Sequence, residues 1–252
     1  MSYSNDEIRT AVKARYTKKA SATEDCCEGS CCGGYTPEEL QILPKGADLG
    51  LGCGNPNVAA APEEGETVLD LGSGAGVDSF LAAKNVGPSG RVIGVDMTEK
   101  MVARARQNAR AGEYGNVEFR LGTIEELPVE DESIDLIISN CVINLSPEKG
   151  RVFAEAFRVL RPGGRLVVSD LVAQRTPTEK ERSDMDLYSA CVSGAETSDV
   201  IDELLRGAGF EQVAVDAEST PFDWGDPDAP VVAVHSATIS ARKPAKEFQS
   251  ES

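Results

Sequence analysis

Seven cysteines and one triple-glycine turn are the features of this 252-residue chain whose residue types and spacing could do chemistry. Cys53 stands in Gly-Leu-Gly-Cys-Gly-Asn-Pro, Cys141 in Ser-Asn-Cys-Val-Ile-Asn-Leu and Cys191 in Ala-Cys-Val-Ser-Gly-Ala, while Cys26-Cys27 and Cys31-Cys32 form two doublets near the start. Thiolates are nucleophiles and soft ligands, so thiol chemistry or metal binding is expected of them. The second feature, Gly72-Ser73-Gly74-Ala75-Gly76, lets the chain turn sharply and brings backbone N–H groups close to a ligand at a helix start. Asp96 lies twenty positions beyond Gly76, where an acid can accept hydrogen bonds from ribose hydroxyls. A nicotinamide cofactor would use similar parts. Asp70, two residues before the first glycine, suits a cationic ligand better than a diphosphate.

These residues need a frame. Apolar runs over residues 67–71, 91–96, 117–121, 134–139 and 164–170 read as strands separated by helices or long connections, and such alternation implies a mainly parallel sheet. Met101, Val102, Ala105 and Ala109 share one helix face, and Val152, Phe153, Ala156, Phe157 and Leu160 another, the latter helix started by Ser146-Pro147. A helix over 198–207 and strands over 210–217 and 233–241 close the chain. Ahead of the first strand come a short helix over 8–16, a cysteine-rich loop over 21–34, a helix started by Thr36-Pro37-Glu38-Glu39, and an irregular glycine-rich stretch over 46–57. The division expected is residues 1–60 as helices and cysteine-rich loop packing on the core, 61–243 as the catalytic domain, and 244–252 as a disordered tail. The fold class expected is a doubly wound α/β sheet.

Composition narrows the function. With 42 acidic and 25 basic residues the formal charge is −17, which argues against nucleic acid as partner, because phosphate binding needs a basic surface. The dispersed acids are explained equally by a salt-rich cytoplasm and by solubility through self-repulsion. No basic start with an apolar stretch and no run of eighteen apolar residues is present, so a cytoplasmic protein without membrane contact is expected. In a reducing compartment structural disulfides are disfavoured, and the cysteines are expected as free thiols. His235 is expected to serve packing or polarity in the last strand, and Trp224 to anchor a loop.

The stretch Asp70-Leu71-Gly72-Ser73-Gly74-Ala75-Gly76 resembles the turn of class I methyltransferases, which carries the methionine end of S-adenosylmethionine. That resemblance implies S-adenosylmethionine as cofactor and a Rossmann-like core, with Asp96 on the ribose and Met97, Ile124, Glu125 and Asn140 flanking the adenine or the reacting sulfonium. Core packing competes as a reading of Met97 and Ile124, and a solvated acid beside Glu126 as one of Glu125. The contexts of Cys53, Cys141 and Cys191 resemble arsenite methyltransferases, and the resemblance runs over roughly residues 35 to 243, through the closing Ser-Ala-Thr-Ile-Ser-Ala-Arg-Lys-Pro.

It implies that Cys53, Cys141 and Cys191 are the thiols around trivalent arsenic, a soft centre with three bonding positions and a lone pair. The reaction expected is in-line displacement at the sulfonium methyl from about 3–3.5 Å, with arsenite or its thiol conjugates as substrate and glutathione or thioredoxin as reductant. Cys26, Cys27, Cys31 and Cys32 read either as capture thiols for the metalloid or as a zinc site or flexible tag. Two other functions stay open: methylation of a small organic molecule, for which the cysteines are dispensable, and non-enzymatic metalloid or zinc binding.

Overall fold

A computed structural model describes residues 3–21, 34–220 and 232–246. Before the sheet come α1 (Asn5–Ala20), α2 (Pro37–Gln41) and α3 (Pro56–Ala60). The sheet and its helices then alternate: β1 (Thr67–Leu71), α4 (Val77–Val86), β2 (Arg91–Asp96), α5 (Glu99–Ala111), β3 (Val117–Leu121), β4 (Ile134–Asn140), a 3-10 turn (Ile143–Leu145), α6 (Lys149–Val159) and β5 (Leu160–Ala173). Short helices α7 (Glu179–Arg182) and α8 (Met185–Tyr188) lead to α9 (Ser198–Gly207), β6 (Glu211–Ala217) and β7 (Val234–Arg242).

The seven strands stand in the order β3-β2-β1-β4-β5-β7-β6. β1 pairs in parallel with β2, Leu69 opposite Ile93, and with β4, Leu69 opposite Ile137. β7 is antiparallel to both neighbours, with Val168 of β5 opposite Ile239. Helices cover both faces, which is why β1 is an almost unbroken apolar run with Val68, Leu69 and Leu71 fully buried. The direction of strand succession reverses between β1 and β4. In an open α/β sheet the crevice beyond the strand carboxyl ends at that point receives the ligand, and here those ends deliver Gly72 from β1 and Cys141 from β4.

Several boundaries differ from the sequence reading. α1 begins earlier and ends later because Ser4 and Glu7 form a reciprocal capping box at its start and Lys18 and Lys19 sit in its last turn. Leu160 belongs to β5 rather than to the preceding helix, and β5 runs on to Ala173 because the antiparallel ladder with β7 continues to Ala173 opposite Val234. The stretch over 46–57 runs into α3, started by Asn55-Pro56. Among the described residues no helix is long and apolar enough to cross a membrane.

Candidate active site

The turn after β1 places Gly72 and Gly74 at φ 68° and 52°, in the left-handed region. A Cβ on Gly72 would come within 2.3 Å of the Val142 side chain, so the β1 turn and the chain leaving β4 can lie this close only with glycine there. A Cβ on Gly74 would meet nothing within 4 Å, since that position faces the open cavity. The Gly74 N–H donates to Asp96 Oδ2 (3.1 Å) and the Thr98 N–H to Asp96 Oδ1 (2.8 Å), so the glycine turn and the end of β2 are held together by one carboxylate. The cavity beside them encloses about 1040 Å³ including its open mouth, and Met97, Ile124 and Glu125 border it.

Two observations bear on what the cavity can hold. The Ser73 hydroxyl is buried at the cavity wall without a hydrogen-bond partner among the described residues, a group suited to bond with a ligand in the cavity. Asp70 and Asp78 lie side by side on the cavity floor, and burial raises both carboxyls above the ordinary carboxylate range, each like-charged neighbour adding to the effect on Asp70. Ser79 Oγ donates to Asp70 Oδ2 (2.6 Å), while Tyr35 Oη (2.8 Å) and Asn57 Nδ2 (2.9 Å) donate to Asp78. A ligand with one cationic end and one end rich in hydroxyls fits: the cation compensates the paired acids, and Asp96 faces the hydroxyls. Glu125 is buried too, taking a hydrogen bond from Ser146 Oγ (2.6 Å) and an ion pair from Arg9 of α1 (3.4 Å), which rules out the solvated reading.

The cysteines converge at the same edge. Cys141 follows β4 at φ 53° and Cys191 sits at φ 66°, both non-glycine residues in the left-handed region, where backbone strain collects at functional sites. Cys53, Cys141 and Cys191 share one apolar cluster with Met97, Leu145 and Tyr188. Cys191 Sγ donates to the Cys141 carbonyl (3.1 Å), and the Tyr16 side chain packs against the cluster that holds Cys191. Burial pushes the Cys191 thiol well above its usual range and Asp170 adds to this, while Lys149 and the neighbouring Tyr16 hydroxyl act in the opposite sense.

One expectation is overturned. Cys53 and Cys141 are not free thiols: their sulfurs form a disulfide, with Cα atoms 5.9 Å apart. The sequence reading discounted disulfides on compartment grounds, but the tertiary approach of the glycine-rich loop to the end of β4 brings the two within bonding reach. An Asp170 carboxylate oxygen lies within 4.8 Å of both sulfurs. Among the described residues Cys191 is the free cysteine, and Cys26, Cys27, Cys31, Cys32 and Trp224 lie outside the described residues. His235 is not among the residues lining the cavity, and its Nδ1 is hydrogen-bonded to the Glu218 carbonyl (2.9 Å).

Sequence reasoning missed Arg9, Tyr16, Tyr35, Ser73, Asp78 and Asp170. For Asp78 a signal existed, an acid in the first turn of an otherwise apolar helix directly after the glycine turn. For Asp170 the signal was its place at the carboxyl side of a strand beside β4. Asn140 borders the cavity, and its amide is taken up by protein groups.

The chain is similar to known proteins along most of its length. Residues 62–209 match the family model described as a methyltransferase domain. A curated arsenite methyltransferase from Halobacterium salinarum is 48% identical over 96% of this chain and 68% of its own length. Another, from Aquipseudomonas alcaligenes, is 43% identical over 75% of this chain and 56% of its own length, so the chain spans little more than half of that relative. The crystal structure of an arsenic(III) S-adenosylmethionine methyltransferase from Chlamydomonas reinhardtii superposes with a TM-score of 0.66 at 33% identity, covering 94% of this chain and 75% of that one. On the strength of the matched domain, the 48% relative and the converging cysteines, the chain belongs to the arsenite methyltransferase family.

Proposed function

We propose that this protein transfers a methyl group to trivalent arsenic held by Cys53, Cys141 and Cys191, with S-adenosylmethionine as methyl donor. The observation that carries the reading is the meeting of all three cysteines in one apolar cluster at the carboxyl end of β4, against the cavity whose other wall is the glycine turn and Asp96. Asp70 and Asp78 fit the cationic end of the donor, Asp96 its ribose hydroxyls, and Met97 and Ile124 its flat base. When bound, S-adenosylmethionine would supply an electrophilic methyl on a sulfonium: the arsenic lone pair would form the arsenic–carbon bond as the sulfur–carbon bond breaks and S-adenosylhomocysteine leaves, with no general base required.

The chain's own residues do three things. Cys53 and Cys141 become ligands only after their disulfide is reduced, so two electrons and two protons from a thiol donor such as glutathione or thioredoxin precede substrate binding. The three thiols then give up their protons as arsenic–sulfur bonds form and water leaves. Cys191 needs this exchange most, because burial holds its thiol protonated. Tyr16, Leu145 and Tyr188 exclude water around the sulfurs, and the apolar wall fixes the metalloid against the cavity, where positioning supplies much of the rate.

The test is incubation of the purified protein with arsenite and S-adenosylmethionine, with and without a dithiol, and chromatography of methylated arsenicals with element-specific detection. Methylated product is expected only with the dithiol. Cys141→Ser and Cys53→Ser should lose activity about a hundredfold or more while retaining S-adenosylmethionine binding by calorimetry. A folded Cys141→Ser protein that turns over like the wild type would sink the arsenic site and return a small organic acceptor to first place.

A further inference from the structure

Asn140 is the last residue of β4 and adjoins Cys141, and its side-chain amide is spent on holding another part of the chain. Oδ1 accepts the Cys53 N–H (3.0 Å), and Nδ2 donates to the Gly54 carbonyl (2.7 Å) and the Tyr35 hydroxyl (2.9 Å), with Asp78 Oδ2 at 3.2 Å. An asparagine amide offers two N–H donors and two acceptor positions. Both donors are therefore used within the protein, and the amide spans two successive residues of the loop, its oxygen on the Cys53 N–H and its nitrogen on the Gly54 carbonyl.

The loop has been shaped to this grip. A Cβ on Gly52 would come within 2.6 Å of Asn140 Nδ2, and a Cβ on Gly54 within 2.9 Å of the Ser169 side chain on β5. The segment Gly52-Cys53-Gly54 is thus threaded between Asn140 and Ser169, with room for a side chain only at Cys53. Besides the disulfide, the polar contacts of Cys53 among the described residues are its N–H to Asn140 and its sulfur against the Ser169 carbonyl (3.7 Å) and Asn140 Oδ1 (3.9 Å).

We propose that Asn140 is a positioning residue for the metalloid site: its amide clamps the Cys53 loop to the end of β4, so that Cys53 stays beside Cys141 after their disulfide is reduced. The inference rests on the functional reading above for its purpose, since a reduced site must keep two thiols in register through each round of substrate entry and product release. Without the clamp, reduction removes the one covalent tie across 88 residues of chain and frees a loop flanked by glycines.

The experiment measures how near Cys53 and Cys141 remain in the reduced protein, with no arsenic and no methyl transfer. The full-length protein is equilibrated in glutathione buffers of graded redox poise, and the oxidised fraction of the Cys53–Cys141 pair is read by alkylation and mass spectrometry. The equilibrium gives the effective concentration of one thiol at the other. Asn140→Ala is expected to lower it about tenfold or more, equivalent to about 30 mV for a two-electron couple, and to weaken binding of phenylarsine oxide to the reduced protein. Should Asn140→Ala fail to fold, Gly52→Ala tests the same clamp by driving a methyl against the Asn140 amide, with the same shift expected.

An effective concentration within twofold of wild type in a folded variant overturns the clamp. Because this readout is independent of activity, a wild-type protein that shows a strong clamp but no methylated arsenic would refute the functional reading and leave the clamp standing. The reverse combination would refute the clamp alone.

Discussion

At the level of single residues, the paired acids Asp70 and Asp78 show how a binding site departs from what stability alone would select. Both carboxyls are buried on the cavity floor with no basic side chain hydrogen-bonded to either among the described residues. Burial, and for Asp70 also the charge of Asp78, raise them to about 8 and about 6, values that describe the pair as it loses its protons in turn. An acid whose folded value is raised contributes stability fully below its unfolded value, and this is lost as pH rises through the folded value. The ligand-free protein should therefore lose stability on their account from about pH 4, the ordinary carboxylate value, up to about pH 6 for Asp78 and about pH 8 for Asp70, and a cationic ligand should bind more tightly as pH rises through about 6 to 8.

Asp70→Asn separates the two effects. It is expected to raise the melting stability of the ligand-free protein at pH 8 by about 1–3 kcal/mol, with the advantage shrinking toward pH 5, and to weaken S-adenosylmethionine at least tenfold. Thermal melts across that pH range and calorimetric titration check this. A variant that is less stable at every pH and binds normally would show Asp70 to be structural. Cys141 and Cys191 carry the same lesson in their backbones, since left-handed φ at a residue with a Cβ persists only where the surroundings impose it.

Among the elements, α1 has the weakest claim to form alone and the most specific docking. Its composition is strongly polar, and within it Val12 and Ala20 are the buried positions. What holds it is tertiary: Val12 is fully buried in the cluster that contains the three cysteines, Arg9 pairs with Glu125 and Glu148, and Lys13 pairs with Glu99 of α5. Arg9 and Tyr16 both face the cavity, so α1 forms part of its roof. Val12→Asp should detach this roof at a cost of about 2–4 kcal/mol for an unpaired buried acid. Hydrogen exchange should then show lost protection over residues 5–20 with the amides of β1 and β4 still protected, and S-adenosylmethionine should bind at least tenfold more weakly. Uniform loss of protection through the sheet would mean that α1 is part of the cooperative core instead.

For the whole molecule, the charge of −17 sets the relation to solvent. Seventeen ion pairs are formed among the described residues, several of them exposed, yet the acidic excess remains uncompensated. Self-repulsion of this kind opposes the compact state and is screened as the Debye length falls from about 10 Å at 0.1 M salt to about 3 Å at 1 M. The melting temperature should therefore rise steadily with potassium chloride over that range. A flat or falling dependence would mean that local ion pairs, which salt weakens, outweigh the net charge.

Much of this architecture is written in local sequence. The glycine turn, the acid ending β2 and the apolar runs of β1, β2 and β4 depend on short-range backbone geometry and hydrophobic period, so fold class and donor cavity could be read before any coordinates. The capping residues of α1 and α2 are equally local. What required the tertiary structure is everything that joins segments far apart in the chain. The Cys53–Cys141 bond, the grip of Asn140 on Gly54, the approach of Asp170 to both sulfurs and the packing of Tyr16 against the cluster of Cys191 arise because β4 lies between β1 and β5 and because α1 folds back over the strand ends. Periodicity reports which face of an element is buried. Against which partner it is buried, and therefore which side chains share a site, is decided by long-range pairing and packing, which leave no trace in the spacing of residues along one strand or helix.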